Sequence, residues 1–327
     1  MQTIAISLIL ISLAGLFIVY AVDIIRQVDE QTQHSRNKRL REFLHFFSPV
    51  ITVLPVIILA TLAGFSSQPD LGLGALLGVN IAAVTLMIGL VVVKYQGISV
   101  VADFLYKDIR QAVLALLFPF VLAIDGNLSR MDGILLILMF IFYQITLFQR
   151  FYRYHHEIHY SPIRSLGKWL HRPKIVNKRE GSSWLVFALI VLLFAVNILF
   201  DTSKTLVINL SFPALWWGIV GLGVVMILPQ LWFELEAASE KQPALVLGDL
   251  LSGLVINFSL GIGVLSLLQP MQNLWHKLLF SEAFLAFVLG FFMLWVFART
   301  KYKLSRLEGL VLVFVYIFFI VISFSVV

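Results

Sequence analysis

A succession of long apolar runs, separated by short polar clusters, limits this chain more than any other feature. The runs lie near residues 2–22, 49–65, 71–93, 110–124, 132–149, 183–200, 211–233, 244–269, 280–298 and 307–326. Several match the roughly 20 apolar residues that a helix needs to cross a bilayer. No soluble domain of this size hides so much oil: 60% of the 327 residues are apolar and only 13% are charged, against roughly 25% charged in an average globular protein. Disordered, collagenous and ordinary cytosolic classes are excluded. In lipid, backbone N–H and C=O groups are satisfied within helices or closed barrels, and runs of this length are helical. The expectation is an all-α integral membrane protein of about ten transmembrane helices. Met1–Val22 has no positive leading region and no small-residue cleavage site, so it reads as a retained helix. Lys94–Tyr106 is too polar for a full span and reads as an interfacial connection before the fourth. The absence of cysteine excludes a disulfide scaffold and thiolate chemistry.

The net charge of +6 is distributed by loop. One alternating set of loops holds Arg26, Arg36, Lys38, Arg39, Arg41, Lys94, Lys107, Arg110, the run from Arg150 to Arg179, Lys241, and Arg299 to Arg306. The opposite set holds Arg130, Lys204 and Lys277. The positive-inside rule makes the first set cytoplasmic and puts both termini outside, with the basic loop 150–182 in the cytoplasm. The basic balance is therefore topological. It calls for anionic lipid headgroups as neighbours and for no nucleic acid.

Compared with itself at an offset near 175, the chain matches. Leu128-Ser129-Arg130-Met131-Asp132-Gly133 opens the fifth run and Leu304-Ser305-Arg306-Leu307-Glu308-Gly309 the tenth, with about seven of sixteen positions identical through Tyr143 and Phe319. Leu54-Pro55 recurs as Leu228-Pro229, and Leu73-Gly74-Ala75-Leu76-Leu77 as Leu247-Gly248-Asp249-Leu250-Leu251. The chain divides into a first five-helix half, 1–149, the loop 150–182, and a second half, 183–327. Five is odd, so the halves are inverted, an arrangement typical of secondary transporters with a site near the bilayer midplane. Pro55 and Pro229 fall inside spans two and seven and are expected to kink or interrupt them.

These residues resemble the cation/calcium exchanger family, the sodium/calcium exchangers and their relatives, over nearly the whole chain. Segments 49–93 and 224–268 stand in place of that family's two signature repeats, roughly Gly-Thr-Ser-Leu-Pro-Glu followed by Gly-Asn-x-x-Gly-Ser-Asn-x-x-Asn. The first copy reads Ile51-Thr52-Val53-Leu54-Pro55-Val56 and then Gly74 to Ala83. The second reads Met226-Ile227-Leu228-Pro229-Gln230 and then Gly248 to Asn257. The resemblance implies cation antiport by alternating access, with one Glu from each half as ion ligand. Here those positions are Val56 and Gln230, the serine positions are Val79 and Gly253, and the last Asn positions are Ala83 and Asn257. Thr52, Gln230 and Asn257 remain as the implied centre, a neutral set. Calcium needs about six to eight oxygen ligands, commonly with carboxylates, so altered ion specificity is the expectation.

Secondary candidates surround this centre. Glu234 lies one turn beyond Gln230 on the same helical face, and Asp249 follows Gly248 at the entry to span eight. Both fit an inward vestibule; equally, Glu234, Glu236 and Glu240 read as the solvated end of span seven and Asp249 as a cap. Asn80 and Ser252 fit either an ion pathway or helix-to-helix hydrogen bonding. His155, His156, Glu157 and His159, interleaved with Tyr152, Arg153, Tyr154 and Tyr160, read as an interfacial belt. Asp132, Glu282 and Glu308 read as caps or anchors at span ends. No phosphate-cradling loop or nucleophile elbow is present, so neither enzymatic chemistry nor a cofactor is expected. The expected partners are the lipid bilayer and a small cation or other small solute, in a multi-pass protein of the plasma membrane. The alternative is a transport-inactive relative that serves as a membrane scaffold or regulatory partner.

Overall fold

A computed structural model describes residues 2–33, 38–100, 109–154, 178–274, 282–300 and 302–326. Each apolar run becomes one helical segment. These are α1 (Gln2–Gln33), α2 (Lys38–Phe65), α3 (Pro69–Lys94), α4 (Ile109–Leu122) and α5 (Arg130–Tyr154) in the first half. The second half holds α6 (Lys178–Leu210), α7 (Ala214–Ser239), α8 (Pro243–Leu268), α9 (Glu282–Arg299) and α10 (Arg306–Val326). Seven of these, α1, α3 and α6 to α10, contain apolar stretches of 18 to 30 residues that are long enough to cross a membrane. The apolar part of α2, Pro49–Phe65, is shorter.

The helices outrun the apolar segments. α1 continues through Arg26, and α5 and α6 extend into both ends of the basic segment 150–182. The His155, His156, Glu157 and His159 cluster and Lys277 lie outside the described residues. Of the expected interfacial connection, residues 95–100 form a turn and a short strand, and 101–106 lie outside the described residues.

Burial sorts the helices into centre and periphery. In α3 and α8, 83% of the apolar window is buried, against 28–50% in the other five long spans. Leu16, Phe142, Phe194 and Phe314 belong instead to a broad exposed apolar surface on α1, α5, α6 and α10. Such a surface suits lipid and no aqueous face. α3 and α8 occupy equivalent places in the two halves, so the core is the contact between the repeats.

The internal symmetry reaches fine detail. Gln68 and Gln242 precede Pro69 and Pro243 at the first position of α3 and α8, where a missing N–H costs nothing. Ser67 and Lys241, just before them, both adopt left-handed backbone, φ 52° and 56°. Each central helix then contains a π turn, Ala83–Met87 in α3 and Asn257–Gly261 in α8. Thr85 and Ser259 stand at matching places in these turns and donate to the carbonyls of Ile81 and Val255.

The repeated Leu-Ser-Arg signature is a helix start. The Ser129 backbone N–H and hydroxyl donate to Asp132 at 2.8 and 2.7 Å, and Ser305 does the same to Glu308 at 2.6 and 2.8 Å. These are capping boxes, as expected of the two acids. The glycine that follows each box permits a close crossing. A Cβ on Gly133 of α5 would lie 2.8 Å from the Gly263 carbonyl of α8, and one on Gly309 of α10 would lie 3.0 Å from the Gly89 carbonyl of α3. The loops pair in the same inverted sense: β1 (Ile98–Ser99) lies antiparallel to β2 (Lys303–Leu304), and Leu128 bridges Met271.

The prolines depart from expectation. Pro55 and Pro229 are buried, but α2 and α7 run through them uninterrupted. A single proline removes one hydrogen bond, and packing on both sides holds the helix together. The irregular backbone lies in the π turns of α3 and α8 and in a third, Gly218–Leu222, in α7.

Candidate functional site

Polar side chains collect where α2, α3, α7 and α8 meet. Thr52 on α2 is 1% exposed and points its hydroxyl at the Asp249 carboxylate on α8, with Oγ1 3.4 Å from Oδ2 and 3.5 Å from Oδ1. Its Oγ1 also lies 3.4 Å from the Pro49 carbonyl. These contacts are long for O–H···O bonds, which centre near 2.7–2.8 Å. Nearer the middle of the helices, the Asn257 amide of α8 donates to Asn80 Oδ1 of α3 at 3.0 Å.

α7 supplies the remaining members. Gln230 is buried against Gly253 of α8, where an added Cβ would stand 2.7 Å from its Nε2. Gly253 therefore admits the amide at close range. One turn further on, Glu234 is 0% exposed, and neither of its carboxyl oxygens has a hydrogen-bond partner. It interacts electrostatically with Asp249 and with Arg26 of α1. Arg26 stacks its guanidinium over the ring of Phe233, the residue before Glu234.

Leaving a buried polar group unsatisfied costs about 1–3 kcal/mol, and more for a charged group. Asn80 Nδ2, Asn257 Oδ1 and both Glu234 oxygens are in that state, whereas the Gln230 amide is directed toward the Asp249 carboxylate. They lie on the three helices that join the halves, and buried polar groups without a full set of partners inside a membrane protein commonly mark a functional site.

Of the seven candidate residues, the structure pairs Thr52 with Asp249 and Asn80 with Asn257, and it buries Gln230 and Glu234 on α7 beside α8. Ser252 turns onto its own helix and donates to the Gly248 carbonyl at 2.8 Å. Two expectations are corrected. Glu234 and Glu236 do not form a solvated helix end, since both are buried; α7 continues to Ser239, and it is Glu240 beyond it that reaches partial exposure. Nor is the constellation neutral, because Asp249 reaches Thr52. Asp249 lies eight residues before Asn257 on α8, about 12 Å along the axis, and only the crossing of α2 brings it to Thr52.

The site is lopsided. Val56, Val79 and Ala83, the first-half positions that match Gln230, Gly253 and Asn257, are buried at 1–2% exposure and offer no donor. The first half contributes Thr52 and Asn80; the second contributes both carboxyls. By sequence Arg26 reads as a loop residue, because the apolar run stops at Val22, but it lies within α1. The signal that finds it is the three-residue spacing of Asp23, Arg26 and Asp29, which continues the helical face of α1. Among the described residues, no group of three or more His, Asp or Glu is arranged to hold a resident metal ion.

The sequence matches the family described as sodium/calcium exchanger protein over residues 1–149 and 181–325. The inner membrane protein YrbG of Escherichia coli is 23% identical over 67% of this chain and 66% of its own length. An uncharacterized membrane protein of Methanocaldococcus jannaschii is 26% identical over 81% of each. Among solved structures, the H+/Ca2+ exchanger CAX aligns with TM-score 0.75 at 16% identity, covering 96% of this chain and 81% of that one. The sodium-calcium exchanger NCX_Mj aligns with TM-score 0.58 at 20% identity, covering 98% and 97%. At these identities the structural likeness is one of fold: all-α membrane proteins with ten helices in inverted repeats.

Proposed function

Because the chain belongs to the sodium/calcium exchanger protein family, we propose that it is a secondary transporter that carries cations across a membrane by alternating access, its two inverted halves rocking about the site between α3 and α8. The observation that carries this reading is Glu234: a carboxyl buried without a hydrogen-bond partner, near enough to Asp249 for the two acids to repel each other, with Asp249 itself facing Thr52. An intramembrane acid of this kind is costly to the fold and fits an ion pathway.

The ion specificity differs from sodium-for-calcium exchange. The resembling family's carboxylate positions are Val56 and Gln230 here, and the two acids enter from Asp249 and Glu234, displaced toward the end where α7 joins α8. That end is cytoplasmic by the loop charges, with both termini outside and the plasma membrane as the location. Thr52, Asp249, Gln230 and Glu234 line the inner part of the pathway, and Asn80 with Asn257 the middle.

The test is a flux screen on purified protein in liposomes. Gradient-driven uptake of sodium, potassium, calcium or protons above that of empty liposomes is expected, and Asp249→Asn is expected to reduce it at least about tenfold. The dry first-half surface of Val56, Val79 and Ala83 favours a second reading, a scaffold that has lost transport. No flux of any of the four ions would leave that reading in its place.

A further inference from the structure

Arg26 is a feature of the site that neither the repeat signatures nor the exchanger resemblance accounts for. It sits on α1, a helix that packs on α6 and α7 and lies outside both signature segments. Ile24 and Ile25 beside it are buried, and so are Asp23 and Asp29, three residues to either side. This part of α1 therefore faces protein and not lipid. The guanidinium lies over Phe233, itself 3% exposed. Phe233 is the neighbour of Glu234, which brings the guanidinium near enough for its charge to act on both Glu234 and Asp249.

We propose that Arg26 is a tethered counter-cation: it stands in the electrostatic place of the transported ion at Asp249 and Glu234, and the ion binds in competition with it. The proposal rests on the transport reading above for the identity of the cargo. Two buried carboxyls without a cation are expensive in a low-dielectric interior, and a positive charge built into the protein offsets that cost while the site is unloaded. Arginine suits the task better than lysine. Its planar, weakly hydrated guanidinium stacks on an aromatic face and keeps its charge when partly buried. Glu234 keeps both oxygens free of hydrogen bonds, so Arg26 balances its charge without occupying its oxygens. An arriving cation can then take those oxygens and displace the electrostatic contact. Since Arg26 belongs to α1, loading of the site changes the force between α1 and α7, a route from ion binding to movement of the peripheral helices.

The experiment reads binding and not transport. The thermal midpoint of the purified full chain in detergent is followed against lithium, sodium, potassium and calcium chlorides, with choline chloride as the ionic-strength control. A ligand at concentration L that binds the folded state adds RT ln(1 + L/Kd) to its stability, so the rise of the midpoint with concentration yields the half-saturating concentration, Kd. At least one of these cations is expected to raise it in the wild type. Arg26→Gln and Arg26→Met, either of which suffices if the other does not fold, are expected to lower that cation's half-saturating concentration about tenfold. Arg26→Lys retains the charge and should stay within about threefold of the wild type. An unchanged or higher half-saturating concentration in both neutral variants, or no cation effect in any variant, overturns the proposal. Failure of the transport reading looks different: cation stabilisation that responds to Arg26 while liposomes show no flux.

Discussion

Asn257 on α8 donates its side-chain amide to Asn80 on α3 across 3.0 Å, so the central helices of the two inverted halves are joined by a polar bond that the symmetry does not repeat. The positions equivalent to these residues in the opposite halves are Ala83 and Leu254. Helix-to-helix hydrogen bonds in membrane proteins contribute about 0.6 kcal/mol on average and up to about 1.7. A double-mutant cycle of Asn80→Ala and Asn257→Ala, read by denaturation in mixed detergent, is expected to give a coupling in that range. Zero coupling would mean that the two amides act separately.

Glu234 carries the opposite trade. Its carboxyl is fully buried, with no hydrogen-bond partner. A neutral side chain of similar shape removes the cost of burying a carboxyl that makes no hydrogen bond and its repulsion with Asp249, while Asp249 remains to balance Arg26. Glu234→Gln is therefore expected to gain about 1–3 kcal/mol of stability while cation flux falls at least about tenfold. A variant that is less stable and still transports would assign Glu234 to packing.

The glycine crossings make a prediction about symmetry. A Cβ on Gly133 would stand 2.8 Å from the Gly263 carbonyl, and one on Gly89 the same distance from the Gly309 carbonyl. Overpacking of this kind costs about 1–3 kcal/mol. Gly133→Ala and Gly89→Ala are expected to destabilise by similar amounts, measured by thermal midpoint, because they disturb the same crossing in the two halves.

The capping boxes supply a control. Loss of a capping hydroxyl costs about 0.5–2 kcal/mol, so Ser129→Ala and Ser305→Ala should lower the thermal midpoint. Neither hydroxyl lies at the polar site, and cation selectivity should not change. A change in selectivity would tie the starts of α5 and α10 to the ion pathway.

Much of the fold is legible in the sequence because lipid leaves few alternatives: apolar runs become helices, and the offset between Leu128-Ser129-Arg130 and Leu304-Ser305-Arg306 carries the inversion. The prolines mislead. Pro55 and Pro229 mark the right helices, but no local rule tells whether packing will carry a helix through a proline. The π turns of α3 and α8 are invisible for the same reason. At the site, Thr52, Gln230 and Asn257 come from motif positions, whereas the Thr52–Asp249 contact depends on the crossing of α2 and α8. Arg26 shows the limit most clearly. A charge just past an apolar run reads as loop; the three-residue spacing with Asp23 and Asp29 is the one signal that α1 continues and carries it to the interior beside Phe233.

The central claim is that the acids of α7 and α8 hold a transported cation. Its most direct test is gradient-driven cation flux into liposomes that hold equal amounts of folded wild-type protein and Asp249→Asn. Measurable flux in the wild type, reduced at least about tenfold in Asp249→Asn, is the predicted result. Equal flux from the two proteins, or no flux of any cation from the wild type, would contradict it.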